Sequence, residues 1–269
     1  MVLRHFLTCR NALAIVNFAM SFPASLPNSV HSQLPVTKIV SRPTRVLPYT
    51  KLPILNNYFQ ALYDAYGPQH WWPGRSRFEV IVGAILTQNT SWTNVEATIK
   101  NLRAARLLTP QAMEAVSLAR LARLVRPSGY FRQKAKKLKA FTHFLYENHG
   151  GSLSRLFRTP TSLLRERILT IHGIGPETAD SILLYAGRHP VFVIDTYTRR
   201  ILERHDLAES KHSYEEVRSL FESSLPREVQ LFNEYHALIV RIGKDYCRKS
   251  AALCAACPLR SFLPASNPA

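Results

Sequence analysis

"HGIGPETAD", residues 172–180, lies between two stretches with apolar residues three and four apart: "LLRERILTI" (163–171) before it, and "ETADSILLYAG" (177–187) overlapping it. That spacing predicts a helix, a tight turn and a second helix. Gly173 and Gly175 are free to take positive φ, and Pro176 suits the first turn of the second helix. Such a turn aims backbone N–H groups outward beside the positive end of a helix, which seats a phosphate without reading bases. An ordinary interhelical turn carries the same glycines, so the neighbouring sequence has to decide.

Working outward, helical spacing recurs in "FEVIVGAILTQ" (78–88), "NVEATIKNLRAA" (94–105), "SLARLARLV" (117–125) and "RQKAKKLKAFTHFLYENHGG" (132–151), with Pro or Gly at the breaks. Strand-like alternation is nearly absent, so the expected class is all-α. The 269 residues are 46% hydrophobic, enough to bury a core. Lys and Arg number 35 against 18 Asp and Glu, a formal charge of +17 that suits a polyanion such as nucleic acid. An anionic membrane surface is the rival, but no apolar run reaches the ~18 residues of a spanning helix. No Asp or Glu precedes Asp64, while Arg4, Arg10, Lys38, Arg42, Arg45 and Lys51 do. Residues 1–53 therefore read as a basic leader, expected to be unstructured, with a targeting peptide or a misassigned start as alternatives.

Downstream of the hairpin, "PVFVIDTYTRRILER" (190–204) is a short apolar segment ending at Asp195, then a basic helix with Arg199, Arg200 and Arg204. As residues alone, Asp195 and Thr196 read as a helix cap. Taken together, "LTIHGIGPETAD", "VIDTYTRRI", "AILTQNT" (84–90), "VRPSGYFRQKAKKL" (125–138) and a cysteine tail closely resemble the endonuclease III superfamily of DNA glycosylases. That superfamily has a helix-hairpin-helix and Gly-Pro-Asp core. The resemblance runs from about residue 56 to 263 and is closest to the 3-methyladenine glycosylases of endonuclease III type. It implies two helical domains with a cleft between them: residues 73–189 carrying the hairpin, and 54–72 with 190–263 forming the second.

The resemblance places Asp195 in that cleft, facing the sugar of an extruded nucleotide. Breaking an N-glycosidic bond builds positive charge on the sugar, which a carboxylate beside C1′ stabilises. Glu177 stands where lyase-active members carry the lysine that forms a Schiff base, and a carboxylate forms no imine. The implied reaction is monofunctional base excision, with Glu177 bordering the base. The plainer reading of Glu177 is a favourable charge at a helix start, beside Asp180 in a locally acidic patch. Trp71, Trp72 and Trp92 are the chain's three tryptophans. They are either core residues or the aromatic walls that hold a flipped base. Gln88 and Asn89 end an apolar helix where the family inserts a side chain into the vacated stack; as plain residues they are caps. The helix 132–141 spaces Lys134, Lys136, Lys137 and Lys139 for backbone phosphates or simply for solvent. Gly173, Gly175 and Arg199 complete the expected DNA contacts.

"CRKSAALCAACPLRSFLP" (247–264) spaces Cys247, Cys254 and Cys257 as C-x6-C-x2-C. In the family a further cysteine after five residues completes a [4Fe–4S] site, but that position is Leu263 here. A cluster on three cysteines, a three-iron cluster, zinc with a fourth non-cysteine ligand and an empty site all stay open. The chemistry itself needs no cofactor. The resemblance thus implies a monomeric DNA N-glycosylase of base excision repair. It acts on duplex DNA in the cytoplasm or nucleoid and removes alkylated purines such as 3-methyladenine. Alternatives are a glycosylase for uracil, mismatched thymine or oxidised pyrimidines with weak lyase action, and a non-catalytic hairpin DNA-binding protein.

Overall fold

The computed structural model of the chain describes residues 52–72 and 74–264. The leader reading falls almost wholly outside them. The described residues are helical throughout, with no strand among them beyond one isolated bridge between Cys247 and Ala252. No described helix is long and apolar enough to cross a membrane.

Two hydrophobic clusters organise the helices. The first is built around α2 (Arg77–Leu86), in which every residue from Phe78 to Leu86 is buried. A helix apolar on all sides has to be surrounded, and this one is. Packed in the same cluster are residues of α3 (Trp92–Ala104), α4 (Pro110–Ala115), α5 (Leu118–Leu124), α6 (Phe131–His149), α7 (Leu153–Leu156), α8 (Thr161–Leu169) and α9 (Pro176–Ser181). The second joins α1 (Leu52–Tyr66) to α10 (Thr196–Arg204), α11 (Tyr214–Ser224) and α12 (Val229–Asp245). Side chains of Ser76, Thr109, Ser117, Ser152 and Asp195 each accept a backbone N–H at a helix start, and Ser213 with Glu216 forms a reciprocal capping box.

The chain crosses from one core to the other through Val191–Ile194, an extended stretch buried on both sides. Outside any sheet its buried amides need other acceptors. Glu222 accepts from Phe192 N at 3.0 Å and the Tyr214 hydroxyl from Ile194 N at 3.2 Å, both from α11. A second tie runs through Arg165 on α8. It grips Asp180 of α9 through two bonds, 2.6 and 3.1 Å, and reaches Glu215 of α11 at 2.6 Å. Asp180 is therefore no part of an exposed acidic patch beside Glu177; it is fully buried and paired.

Removing Asp180 takes two of the three hydrogen bonds of the part-buried Arg165 and leaves its charge to the half-exposed Glu215 alone. Asp180→Ala is expected to lower unfolding stability by about 3–5 kcal/mol, read as a reduced midpoint in urea or thermal unfolding.

Candidate active site and DNA-binding surface

The hairpin forms as the glycines require, with one difference. Gly173 has φ +79°, and a Cβ there would meet the Lys137 stem at 2.6 Å, so both backbone and packing demand glycine. Gly175 is extended, at φ −91°, and its missing side chain faces open space. Its use is to leave the first amides of α9 uncovered, since no side chain caps that helix start.

Gln88 is tied into this turn. Its amide donates to Gly173 O at 3.2 Å and to Thr178 Oγ1 at 2.9 Å, and Lys137 Nζ donates to its Oε1. A side chain held at three points serves as a strut between the end of α2 and the hairpin. Asn89, exposed and left-handed at φ 51°, is the one that projects.

The basic helix divides differently from the sequence expectation. Lys134 is 2% exposed and donates from Nζ to Ser128 O at 2.5 Å, so it is withdrawn from DNA. Burial and the nearby charge of Lys137 lower its pKa to about 8. Lys139 donates to carbonyls that end α4, among them Met113 O and Val116 O at 3.2 Å. Lys136 is exposed, Lys137 is half-buried against the turn, and Arg199 donates to His212 O at 2.9 Å.

Asp195 caps α10: Oδ1 accepts from Thr198 N at 2.8 Å and from Thr198 Oγ1 at 2.9 Å. Its other oxygen lies 3.7 Å from Nε2 of His236. Glu177 opens to solvent at its own surface, yet protein crowds its carboxyl and raises the pKa to about 7. Burial contributes most and the charge of Asp195 adds to it, against the opposing pull of Arg199. The two carboxylates and Arg199 thus share one electrostatic neighbourhood.

All three tryptophans are brought together and only partly buried. Trp71 and Trp92 lie 6.2 Å apart between ring centres and Trp72 meets Trp92 edge-on at 5.2 Å. Trp72 also packs on Tyr185, at 5.0 Å, in the π-helical turn Ile182–Gly187 that continues α9. Tyr185 bonds His236 Nδ1. Tyr185 lies in "ETADSILLYAG" (177–187), whose spacing assigns it no role, and the one hint of His236 was a histidine in the otherwise apolar face of "YHALIV" (235–240). Lys244 Nζ stands 5.9 Å over the Trp71 ring.

Cys247, Cys254 and Cys257 are free thiols lining one pocket of about 180 Å³, together with Arg204, His205, Tyr246 and Leu263. Arg204 donates to Cys247 Sγ at 3.2 Å. Among the described residues, no three His, Cys, Asp or Glu side chains converge where a single ion could sit.

The all-α body thus combines a hairpin, a helix-capping aspartate between two cores and an indole cluster. Residues 82–227 match the family described as HhH-GPD superfamily base excision DNA repair protein, and the chain belongs to that superfamily. It is 45% identical over 214 residues to MJ1434 of Methanocaldococcus jannaschii, provisionally named a DNA repair glycosylase. That match covers 79% of this chain and 96% of the relative. Endonuclease III of Thermotoga maritima is 29% identical, over 68% and 81% of the two chains. Among solved structures, Helicobacter pylori 3-methyladenine DNA glycosylase bound to 1,N6-ethenoadenine aligns with TM-score 0.62 and 29% identity, over 72% of this chain and 97% of that one. A non-covalent endonuclease III–DNA complex shares the fold with TM-score 0.68 and 21% identity, over 78% and 94%. The protein is thus a base excision repair glycosylase that binds DNA.

The lysines separate by experiment. Lys134→Met is expected to cost about 1–3 kcal/mol of stability while leaving the salt dependence of DNA binding unchanged. Lys136→Ala is expected to change stability by less than about 0.5 kcal/mol and to reduce the slope of log affinity against log salt by about 1.

Proposed function

We propose that this glycosylase removes alkylated purines such as 3-methyladenine by hydrolysis, leaving an abasic site without strand cleavage. The observation that carries the reading is that position 177, in the first turn of α9, holds a carboxylate, close enough to Asp195 for the two charges to act on each other. A lyase needs an amine at that position to attack C1′. A hydrolase needs a carboxylate to stabilise charge developing on the sugar and to favour attack by water. Asp195 is the catalytic residue: its Oδ1 is fixed by Thr198, which leaves Oδ2 for the reaction.

The substrate class rests on the indoles and on charge. Alkylation at a ring nitrogen leaves a purine electron-poor or cationic, and such a ring stacks favourably on Trp71, Trp72 or Trp92. An ionised Glu177 at the pocket edge favours the same cation. The Helicobacter pylori neighbour, named for 3-methyladenine, supports the assignment. Along the duplex, Gly173, Gly175 and the uncovered amides of α9 take backbone phosphates, with Lys136, Lys137 and Arg199 adding charge. Asn89 enters the gap left by the flipped nucleotide.

We also propose that the three thiols hold an iron–sulfur cluster. They line one pocket of about 180 Å³, and their C-x6-C-x2-C spacing matches the first three ligands of the family's cluster site. Such a cluster would brace the C-terminal loop and supply no step in glycosyl hydrolysis.

Incubation with randomly methylated DNA is expected to release methylated purines identified by mass, and Asp195→Asn to lower release at least roughly 100-fold. Release of uracil or oxidised pyrimidines alone would contradict the substrate class. If the ionised form of Glu177 aids a cationic base, kcat/KM should rise with pH through about 7 and flatten in Glu177→Gln at the low-pH level. Protein purified without oxygen is expected to contain iron and acid-labile sulfide, both lost in Cys254→Ser.

A further inference from the structure

His236 on α12 is 5% exposed, and nothing in the proposed chemistry uses it. Its Nε2 is buried without a hydrogen-bond partner. Unpaired buried donors are costly, so they persist where a partner arrives later or where function requires them. An acceptor, Oδ2 of Asp195, stands 3.7 Å away, just beyond bonding range. That is the oxygen Thr198 leaves unused.

The proton's position on the ring follows from its surroundings. Groups facing the imidazole are Tyr185 from the π-helical turn and Asp195 from the start of α10, with Glu177 close enough to both to act on their charge. Burial lowers the imidazole's pKa below the ordinary histidine value, despite the opposing pull of Asp195, so the ring is neutral with one proton. Burial holds the Tyr185 phenol well above its ordinary value, so it stays protonated, and a bare Nε2 lone pair would face the Asp195 carboxylate at 3.7 Å; the geometry therefore favours the tautomer in which Nδ1 accepts from the phenol. The ring's own proton is then on Nε2, aimed at Asp195. Trp71 Nε1 is also buried without a hydrogen-bond partner and lies near enough to the phenol to lower its pKa against the larger effect of burial.

We propose that His236 is a positioning residue for Asp195: with a nucleotide in the cleft, Nε2–H closes on Oδ2 and orients it toward C1′, while Tyr185 fixes the ring tautomer. The proposal rests on the reading that Asp195 faces the sugar. Three donors would then hold the carboxylate, two on Oδ1 and one on Oδ2, leaving one lone-pair direction for the reacting centre.

The test is single-turnover base release from methylated duplex across pH, beside affinity for an abasic-site duplex. His236→Ala is expected to slow release roughly 10- to 100-fold, the range for losing a hydrogen bond to a charged group, with affinity changed less than about 2-fold. Measured in the Glu177→Gln background, which removes the limb near pH 7, its remaining acidic limb should move to higher pH, because a carboxylate that has lost a donor is easier to protonate. His236→Gln, which keeps an N–H near the Nε2 position, should recover part of the rate, and Tyr185→Phe should show a smaller loss with the same direction of shift. A rate within about 2-fold of wild type in His236→Ala, or a slow rate with an unmoved acidic limb, overturns the proposal. Nitrogen NMR of histidine-labelled wild type and Asp195→Asn needs no turnover. A proton on Nε2 whose signal responds to Asp195→Asn supports the pairing even if the wild type releases no base and the proposed reaction fails. A proton on Nδ1, or no response, overturns the pairing.

Discussion

A carboxylate meant to face a developing cation has to be fixed beforehand, because reorienting it during the reaction would cost much of what its charge contributes. Asp195 meets that demand through its backbone. It stands at the end of Val191–Ile194, a stretch buried between two hydrophobic cores, whose amides at Phe192 and Ile194 are taken by Glu222 and Tyr214 of α11. Thr198 then clamps one carboxylate oxygen from the first turn of α10. The Arg165 tie to Asp180 and Glu215 joins the hairpin helices to the same α11. The element that would seat phosphate and the one that carries the carboxylate are thereby set in one frame.

Charge is distributed to the same end. The chain carries +17 overall, yet Asp195 and Glu177 lie close enough for the charge of one to act on the other. A positive body attracts the duplex, and a local negative patch favours a cationic base and a cationic sugar. Burial above all, with repulsion from Asp195 adding to it, raises the pKa of Glu177 to about 7. The Lys244 amine stands 5.9 Å from the centre of the Trp71 ring.

The all-α class was legible because Pro and Gly cut the chain into segments with one helical period, and the hairpin because two glycines and a proline at fixed offsets leave few alternatives. The capping aspartate was legible as a cap, a local property. Less was readable wherever a side chain's fate depended on distant partners. Lys134 shares its helix with exposed lysines, but its position turns it toward Ser128 O. Gln88 looked free at a helix end, yet Lys137 and Thr178 arrive from elsewhere in the chain to hold it. Gly175 was expected in a left-handed conformation and is extended instead, because the reversal is made at Gly173 alone. His236 and Tyr185, 51 residues apart, meet only after folding.

The central claim is that a fixed carboxylate acts on the sugar and no enzyme amine traps it. Borohydride reduction during turnover on a damaged duplex tests this most directly, because it converts any imine between enzyme and sugar into a permanent link. The expected result is free base, intact abasic strands and no cross-linked species, with a trapped adduct appearing only when Glu177→Lys restores an amine. A covalent adduct on the unaltered protein, whether mapped to Lys244 or to another lysine, would contradict the account.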